Sequence, residues 1–451
     1  MKRKMLRSSI ASLLVFVLFI GSGAFTNTTY ANEVTDWNVD AAILIEESTG
    51  KVLYAENPDE LLGVASMTKM MTEYLLLEAI DEGSVSWDDQ YKVTNKISEL
   101  SKDRSLSNVP LRIEESYSIR ELYEAMVIYS ANAATIAIAE TVAGSEANFV
   151  TMMNEKAEEM DLQDFNFVNS SGLNNEDMLG YHPEGTGKDD ENMMSARATA
   201  KLAHLLMTDF PEVLDTASIS KKVFREGTDD AINMENWNFM LPELVFEYEG
   251  ADGLKTGTTD LAGFTFTGTA ERNDMRLISV VMNATNENGE GSYDARFGAT
   301  ADLFDFGFDN FTLEEVIPGN FSIEDQETVA VDKGKEDSVT IQSKDPIQMV
   351  VRKGTKEEFE PSLTLDEEQL NEDGELTAPV EEGDVVGKLG IALGEDDAGF
   401  LDESMASSLQ VDVVATETVD KANWFVLSMR AVGGFFGNLW ETTTSTVKGW
   451  F

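Results

Sequence analysis

The first regular pattern along the chain is a pair of apolar runs, Ala41-Ala42-Ile43-Leu44-Ile45 and Val52-Leu53-Tyr54, around Ser48-Thr49-Gly50-Lys51, which predicts a β-hairpin closed by a glycine-containing turn. The period then lengthens. From Ser66 to Ile80 the apolar positions Met70, Leu75, Leu76 and Ala79 lie among Glu73 and Glu78, the spacing of an amphipathic helix with Ser66 placed to cap it. Glu121–Ala143 reads as one further helical region and Ser195–Met207 as another. Near residue 250 strand patterns return, at Gly253–Thr256, Gly263–Thr269 and Arg276–Met282, the last two joined around Arg272-Asn273-Asp274. Strands at both ends with helices between predict one α/β domain whose sheet gathers distant segments and which closes near Phe311.

Beyond it, short β-like runs such as Val339-Thr340-Ile341 and Gln348-Met349-Val350-Val351 alternate with acidic turns, predicting a small β-rich domain in which Asp366–Glu382 is an exposed loop. The last stretch is helical again. Phe425, Met429, Val432, Phe436, Leu439, Trp440, Val447 and Trp450 fall on one face, with Arg430, Glu441 and Lys448 on the other, an amphipathic stripe suited to a lipid interface. At the opposite end Lys2, Arg3, Lys4 and Arg7 precede the short apolar run Ile10–Ile20, and Thr29-Tyr30-Ala31 offers a signal-peptidase site, with an uncleaved anchor as the alternative. The expected organisation is a signal peptide at 1–31, an α/β catalytic domain at 32–313, a β-rich domain at 314–418 and an amphipathic membrane anchor at 419–451.

Composition narrows the chemistry. The 451 residues carry 83 acidic against 33 basic side chains, a formal charge of -50 that argues against nucleic acid as a partner and describes a heavily solvated surface, or one suited to a saline exterior. Cysteine is absent, and the two histidines, His182 and His204, have no ligand cluster at metal spacing, which argues against a zinc peptidase. A serine hydrolase with a histidine base has just those two candidates, so a lysine base becomes worth seeking.

Three short motifs supply one in fixed order: Ser66-Met67-Thr68-Lys69, Ser130-Ala131-Asn132 and Lys255-Thr256-Gly257. The Ser-to-Lys spacing alone is weak, since Ser48/Lys51, Ser218/Lys221 and Ser445/Lys448 repeat it. Only Ser66 joins it to a helix start, where residues three apart share a face and Lys69 reaches the Ser66 hydroxyl. A lysine kept neutral by partial burial and by a positive neighbour, for which Lys255 is the candidate, accepts the serine proton. Ser130 is placed to relay a proton to the departing amine and Asn132 to hold substrate. On a strand bordering the site, Lys255 and Thr256 bind a carboxylate, and Gly257 admits substrate to the backbone. This chemistry requires no metal or organic cofactor.

These residues, with the longer stretches Gly63–Lys69, Tyr129–Ala134, Phe167–Leu173 and Asp252–Gly257, make the sequence similar to the low-molecular-mass D-alanyl-D-alanine carboxypeptidases of the penicillin-binding and β-lactamase superfamily. The resemblance implies Ser66 as acyl-ester nucleophile, Lys69 as proton acceptor, Ser130 as relay, Asn132 as substrate ligand and Lys255 as binder of the terminal carboxylate. It also implies an oxyanion hole from the amides of Ser66 and Thr258. The implied partners are peptidoglycan stem peptides ending in D-Ala-D-Ala, β-lactams as covalent inhibitors and, through 419–451, the outer face of the cytoplasmic membrane. One departure is Ala198, where relatives often carry an acidic residue. A β-lactamase would need a deacylating glutamate, and no Glu-x-x-Leu-Asn lies between Asn132 and Lys255. A non-catalytic β-lactam sensor would need a membrane-crossing segment after the signal, which the sequence lacks.

Overall fold

The computed structural model describes residues 37–354, 359–392, 399–402, 405 and 409–424. The expected signal peptide and the stripe from Phe425 to Trp450 lie outside the described residues. Among those described, no helix is long and apolar enough to cross a membrane.

The hairpin forms as strands β1 (Ala41–Glu46) and β2 (Val52–Glu56). Its turn is held by the buried Glu46 carboxylate, which accepts from the amide and hydroxyl of both Ser48 and Thr49. Four helices matter for the site: α1 (Lys69–Asp81), α2 (Ile119–Tyr129), α3 (Asn132–Ala143) and α4 (Ala196–Asp209). Strands β3 (Ala251–Thr259), β4 (Gly263–Arg272) and β5 (Met275–Met282) then complete an antiparallel sheet in the order β3-β4-β5-β1-β2, and α5 (Tyr293–Asn310) packs on β4 and β5. The sheet thus joins the two ends of the domain, with β1 paired to β5 from Ala41↔Met282 to Glu46↔Leu277. Because β3 is an edge strand, the face it turns toward the residues around Ser66 is free of a further strand.

Two of the expected helices differ from the pattern reading. The run 121–143 is not continuous: α2 ends at Ser130, which adopts a left-handed φ of 56°, and α3 starts afresh at Asn132. Apolar periodicity carries across the break because both helices bury their alanine- and isoleucine-rich faces in one core, so period alone cannot reveal it. Ser66 does not cap α1 either. It lies inside a 3₁₀ turn, Ala65–Thr68, that leads into the helix, and it makes no capping bond. The third helix begins as expected, with Ser195 accepting from the amide of Ala198.

At Phe311 the chain leaves α5 and enters a β-rich domain. Phe311–Ile317 pairs with Ile347–Arg352, and a six-stranded sheet runs in the order 360–365, 385–392, 411–415, 338–343, 328–332, 376–377. The segment 366–382 is only partly the exposed loop expected from its charge. Leu376, Ala378 and Val380 are buried, and Leu376–Thr377 forms the parallel edge strand beside Val331 and Asp332. Packing continues past 418, since Val419 is buried opposite Val380 and Ala422 bonds to the carbonyl of Lys333. Residues 399–402 fasten this domain to the hairpin: Val52 donates to Gly399, Leu401 donates to Gly50 and sits in the catalytic core, and Lys201 of α4 pairs with Asp402 at 2.7 Å.

Candidate active site

The turn carrying Ser66 is set by two backbone features. Ala65 takes a left-handed φ of 45°, a conformation that costs an alanine roughly 1–3 kcal/mol and persists only where neighbours enforce it. The enforcing neighbour is the 167–172 segment. Gly172, at φ 78°, lies so close that a side chain there would meet the Ala65 carbonyl oxygen at 1.9 Å. A three-stranded ribbon, Leu62–Gly63 with Met193–Met194 and Phe165–Asn166, brings these segments together. Asn192 then stitches them, accepting from the amides of Val168 and Asn169 and donating to Thr68 Oγ1 and the Asn169 carbonyl. Asn169 closes the loop by accepting from the amides of Ser171 and Gly172.

These constraints aim one carbonyl at the lysine. Lys69, one turn beyond Ser66 and 1% exposed, has its Nζ 2.8 Å from Ser66 Oγ, while donating to Asn132 Oδ1 at 2.7 Å and to the Ser171 carbonyl at 2.5 Å. Burial pushes its amine well below the ordinary lysine range, and the charge of Lys255 pushes it further the same way. An uncharged amine has two hydrogens and one lone pair. Two hydrogens for Asn132 and Ser171 leave the lone pair for the Ser66 hydroxyl.

The other two motifs converge on the same place. Asn132 is held by the Ser107 carbonyl, which accepts from its amide and its side chain, and the left-handed break at Ser130 lies two residues before it. On β3, Lys255 and Thr256 are buried, with Lys255 Nζ donating to the Thr256 carbonyl. Burial, with the charge of Arg296 acting the same way and Glu73 opposing, lowers Lys255 to about 7. Glu73, one turn after Lys69 on α1, accepts from Tyr123 Oη at 2.7 Å and is itself raised to about 7 by burial. The space left by Gly257 is taken up by the protein's own chain. A side chain there would meet the Val64 carbonyl at 2.7 Å and Thr265 Oγ1 at 2.5 Å, so this glycine lets β3 lie against the Ser66 turn.

The sequence reading missed Arg296. This α5 guanidinium, 1% exposed, donates from Nη1 to the Gly257 carbonyl at 3.0 Å and to Thr258 Oγ1 at 3.1 Å, and its Nε has no partner. Packed over Phe264, Tyr293 and Phe297, it adds a second buried cation beside Lys255. Neither histidine is among the partners of Ser66. The decoy Ser-to-Lys pairs fall elsewhere: Ser48 bonds to Glu46, Lys221 pairs with Glu235, and Ser445/Lys448 lies outside the described residues.

A serine hydroxyl against a buried lysine of depressed basicity, beside further buried cations, is the arrangement of a serine hydrolase working through an acyl-enzyme. Residues 27–286 match the D-alanyl-D-alanine carboxypeptidase family, and residues 311–421 match the penicillin-binding protein 5 C-terminal domain. The chain belongs to the family of serine D-alanyl-D-alanine carboxypeptidases. It is 30% identical over 414 residues to the carboxypeptidase DacA of Haemophilus influenzae, covering 91% of this chain and 89% of that one. DacF of Bacillus subtilis is 29% identical over 393 residues, 87% and 89% of the two chains. The crystal structure of a peptidoglycan synthesis regulatory factor (PBP3) from Streptococcus pneumoniae has a TM-score of 0.74 at 33% identity, with 86% of this chain and 100% of that one covered.

Proposed function

We propose that this protein removes the terminal D-Ala from peptidoglycan stem pentapeptides through an ester on Ser66. The observation that carries this reading is the placement of Lys69 Nζ among Ser66 Oγ, Asn132 Oδ1 and the Ser171 carbonyl. The terminal carboxylate sits against Lys255, Thr256 and Thr258, with Arg296 behind them. Its arrival restores charge to Lys255, because an anion beside a buried ammonium favours the protonated form. Ser66 Oγ attacks the carbonyl between the last two residues as its proton passes to Lys69, and the amides of Ser66 and Thr258 hold the oxyanion. Ser130 passes a proton on to the departing amine, free D-Ala leaves, and water then cleaves the ester, regenerating Ser66.

In this reading the protein is exported, and the segment through 451 attaches it to the outer face of the cytoplasmic membrane. The β-rich domain is a pedestal for the cleft. The deciding experiment measures D-Ala released from a peptide ending in D-Ala-D-Ala, alongside labelling by a fluorescent penicillin. Ser66→Ala is expected to lower release by about 10⁴-fold or more and to abolish labelling while the fold is kept. Release at the unmodified rate by that variant would refute the mechanism. A slowly decaying penicilloyl adduct is expected, and rapid β-lactam turnover would favour a β-lactamase.

A further inference from the structure

From the Ser130 turn to the start of α5 runs a series of aromatic rings in mutual contact. Centroid separations are 6.2 Å for Tyr129 and Trp237, 6.0 Å for Trp237 and Phe239, and 5.3 Å for Phe239 and Tyr293. The first three are partly exposed and Tyr293 is 40% exposed, so the series is a wall facing solvent and not a core. Its middle comes from segment 236–240, which belongs to no helix or strand yet is fixed on both sides of the cleft. Trp237 Nε1 donates at 3.2 Å to the carbonyl of Tyr129, immediately before Ser130. Asn238 Nδ2 donates at 3.0 Å to the carbonyl of Gly253, two residues before Lys255. At its far end Tyr293 stacks on Arg296, which bonds to Gly257 and Thr258.

This geometry meets the proposed reaction at one point, and the inference rests on that reading. A substrate whose terminal carboxylate is at Lys255 and whose departing amine is served by Ser130 holds its last residue between those two groups. Trp237 and Asn238 tie segment 236–240 to the carbonyl before Ser130 and to the one two residues before Lys255, so the segment bridges the two motifs. The one polar atom of the Trp237 ring is already bonded to the protein, so the ring offers only apolar surface. Aromatic surface favours apolar groups. It attracts cations too, but Lys255 and Arg296 beside it repel them.

We infer that Tyr129, Trp237 and Phe239 form the subsite for the side chain of the leaving D-residue, and that it selects apolar side chains, including ones larger than methyl, over cationic ones. The subsite makes the enzyme a trimmer of stem peptides with varied apolar D-residues at the terminus.

The test compares release of the last residue from three otherwise identical peptides ending in D-Ala-D-Ala, D-Ala-D-Leu and D-Ala-D-Lys, using the full chain. The unmodified enzyme is expected to release D-Leu with a kcat/KM within about threefold of that for D-Ala, and D-Lys at least about tenfold more slowly. Trp237→Ala is expected to lower the D-Leu to D-Ala ratio by about tenfold, and Trp237→Phe to keep it within about threefold, so that Trp237→Phe against Phe239→Ala serves if Trp237→Ala misfolds. An unchanged ratio in the folded alanine variants, or equal release of D-Lys and D-Leu, overturns the subsite while leaving the carboxypeptidase reading intact. Failure of the unmodified chain to release D-Ala overturns that reading and the subsite with it.

Discussion

The β-rich domain is packed from Ile317, Val339, Ile341, Ile347, Met349 and Val413, and among the described residues past Phe311 Ser343 is the one buried polar side chain. The catalytic domain buries Lys69, Glu73, Asn132, Asn169, Asn192, Lys255 and Arg296. Taking such groups out of water is costly unless each is hydrogen-bonded, and costlier still for charges. The difference teaches where this protein accepts that cost. The buried polar groups of the catalytic domain include the set around Lys69, and the β-rich domain is built almost wholly from apolar contacts.

The sharpest way to break the contrast is to make the catalytic interior apolar. Lys69→Met is expected to cut acylation by a β-lactam roughly 10³-fold, the scale of a lost general base, as measured by stopped-flow labelling. Acylation within tenfold of the unmodified rate would assign the proton to another group. The reverse substitution falls in the β-rich core. Ile341→Ala, at a position 1% exposed, is expected to cost about 2–4 kcal/mol of stability in denaturant titration, while kcat at 25 °C stays unchanged. A fall in kcat at full folding would show that the second domain shapes the cleft.

The smallest effect is read in pH. Lys255 sits near 7 when folded, against its usual 10.5, so between those values the folded protein binds fewer protons than the unfolded chain. That makes stability rise with pH across the window from about 7 to 10.5. Lys255→Met is expected to reduce this rise, leaving the part that the buried Lys69 contributes, when the two proteins are melted at matched pH values. Parallel curves would mean that Lys255 is not buried as a strained cation. Glu73, raised to about 7 from 4.5, has the opposite sign, binding extra protons when folded and lowering stability as pH climbs from 4.5 to 7.

Much of the site was legible because its chemistry is local. Ser66 and Lys69 share a helical face, and the strand and turn patterns around Lys255 and the hairpin depend on neighbouring residues. What the pattern missed depends on contacts distant in sequence. The break at Ser130 is hidden because apolar period survives it, and Asn192 joins Thr68 across 124 positions. Arg296 reaches Gly257 from 39 residues away, on a helix whose sequence gives no sign that one basic side chain points inward. The acidic run at 366–382 misled in the other direction, since its few apolar residues, Leu376, Ala378 and Val380, are the ones that decide where it packs.

The central claim, an uncharged Lys69 accepting the Ser66 proton, is tested most directly by the pH dependence of the second-order rate of β-lactam acylation. With Lys69 held well below the ordinary lysine range, the rate should level off well before the pH at which an ordinary lysine loses its proton. A rate still rising tenfold per pH unit toward 10.5 would show that the lysine is an ordinary cation, and would contradict the mechanism.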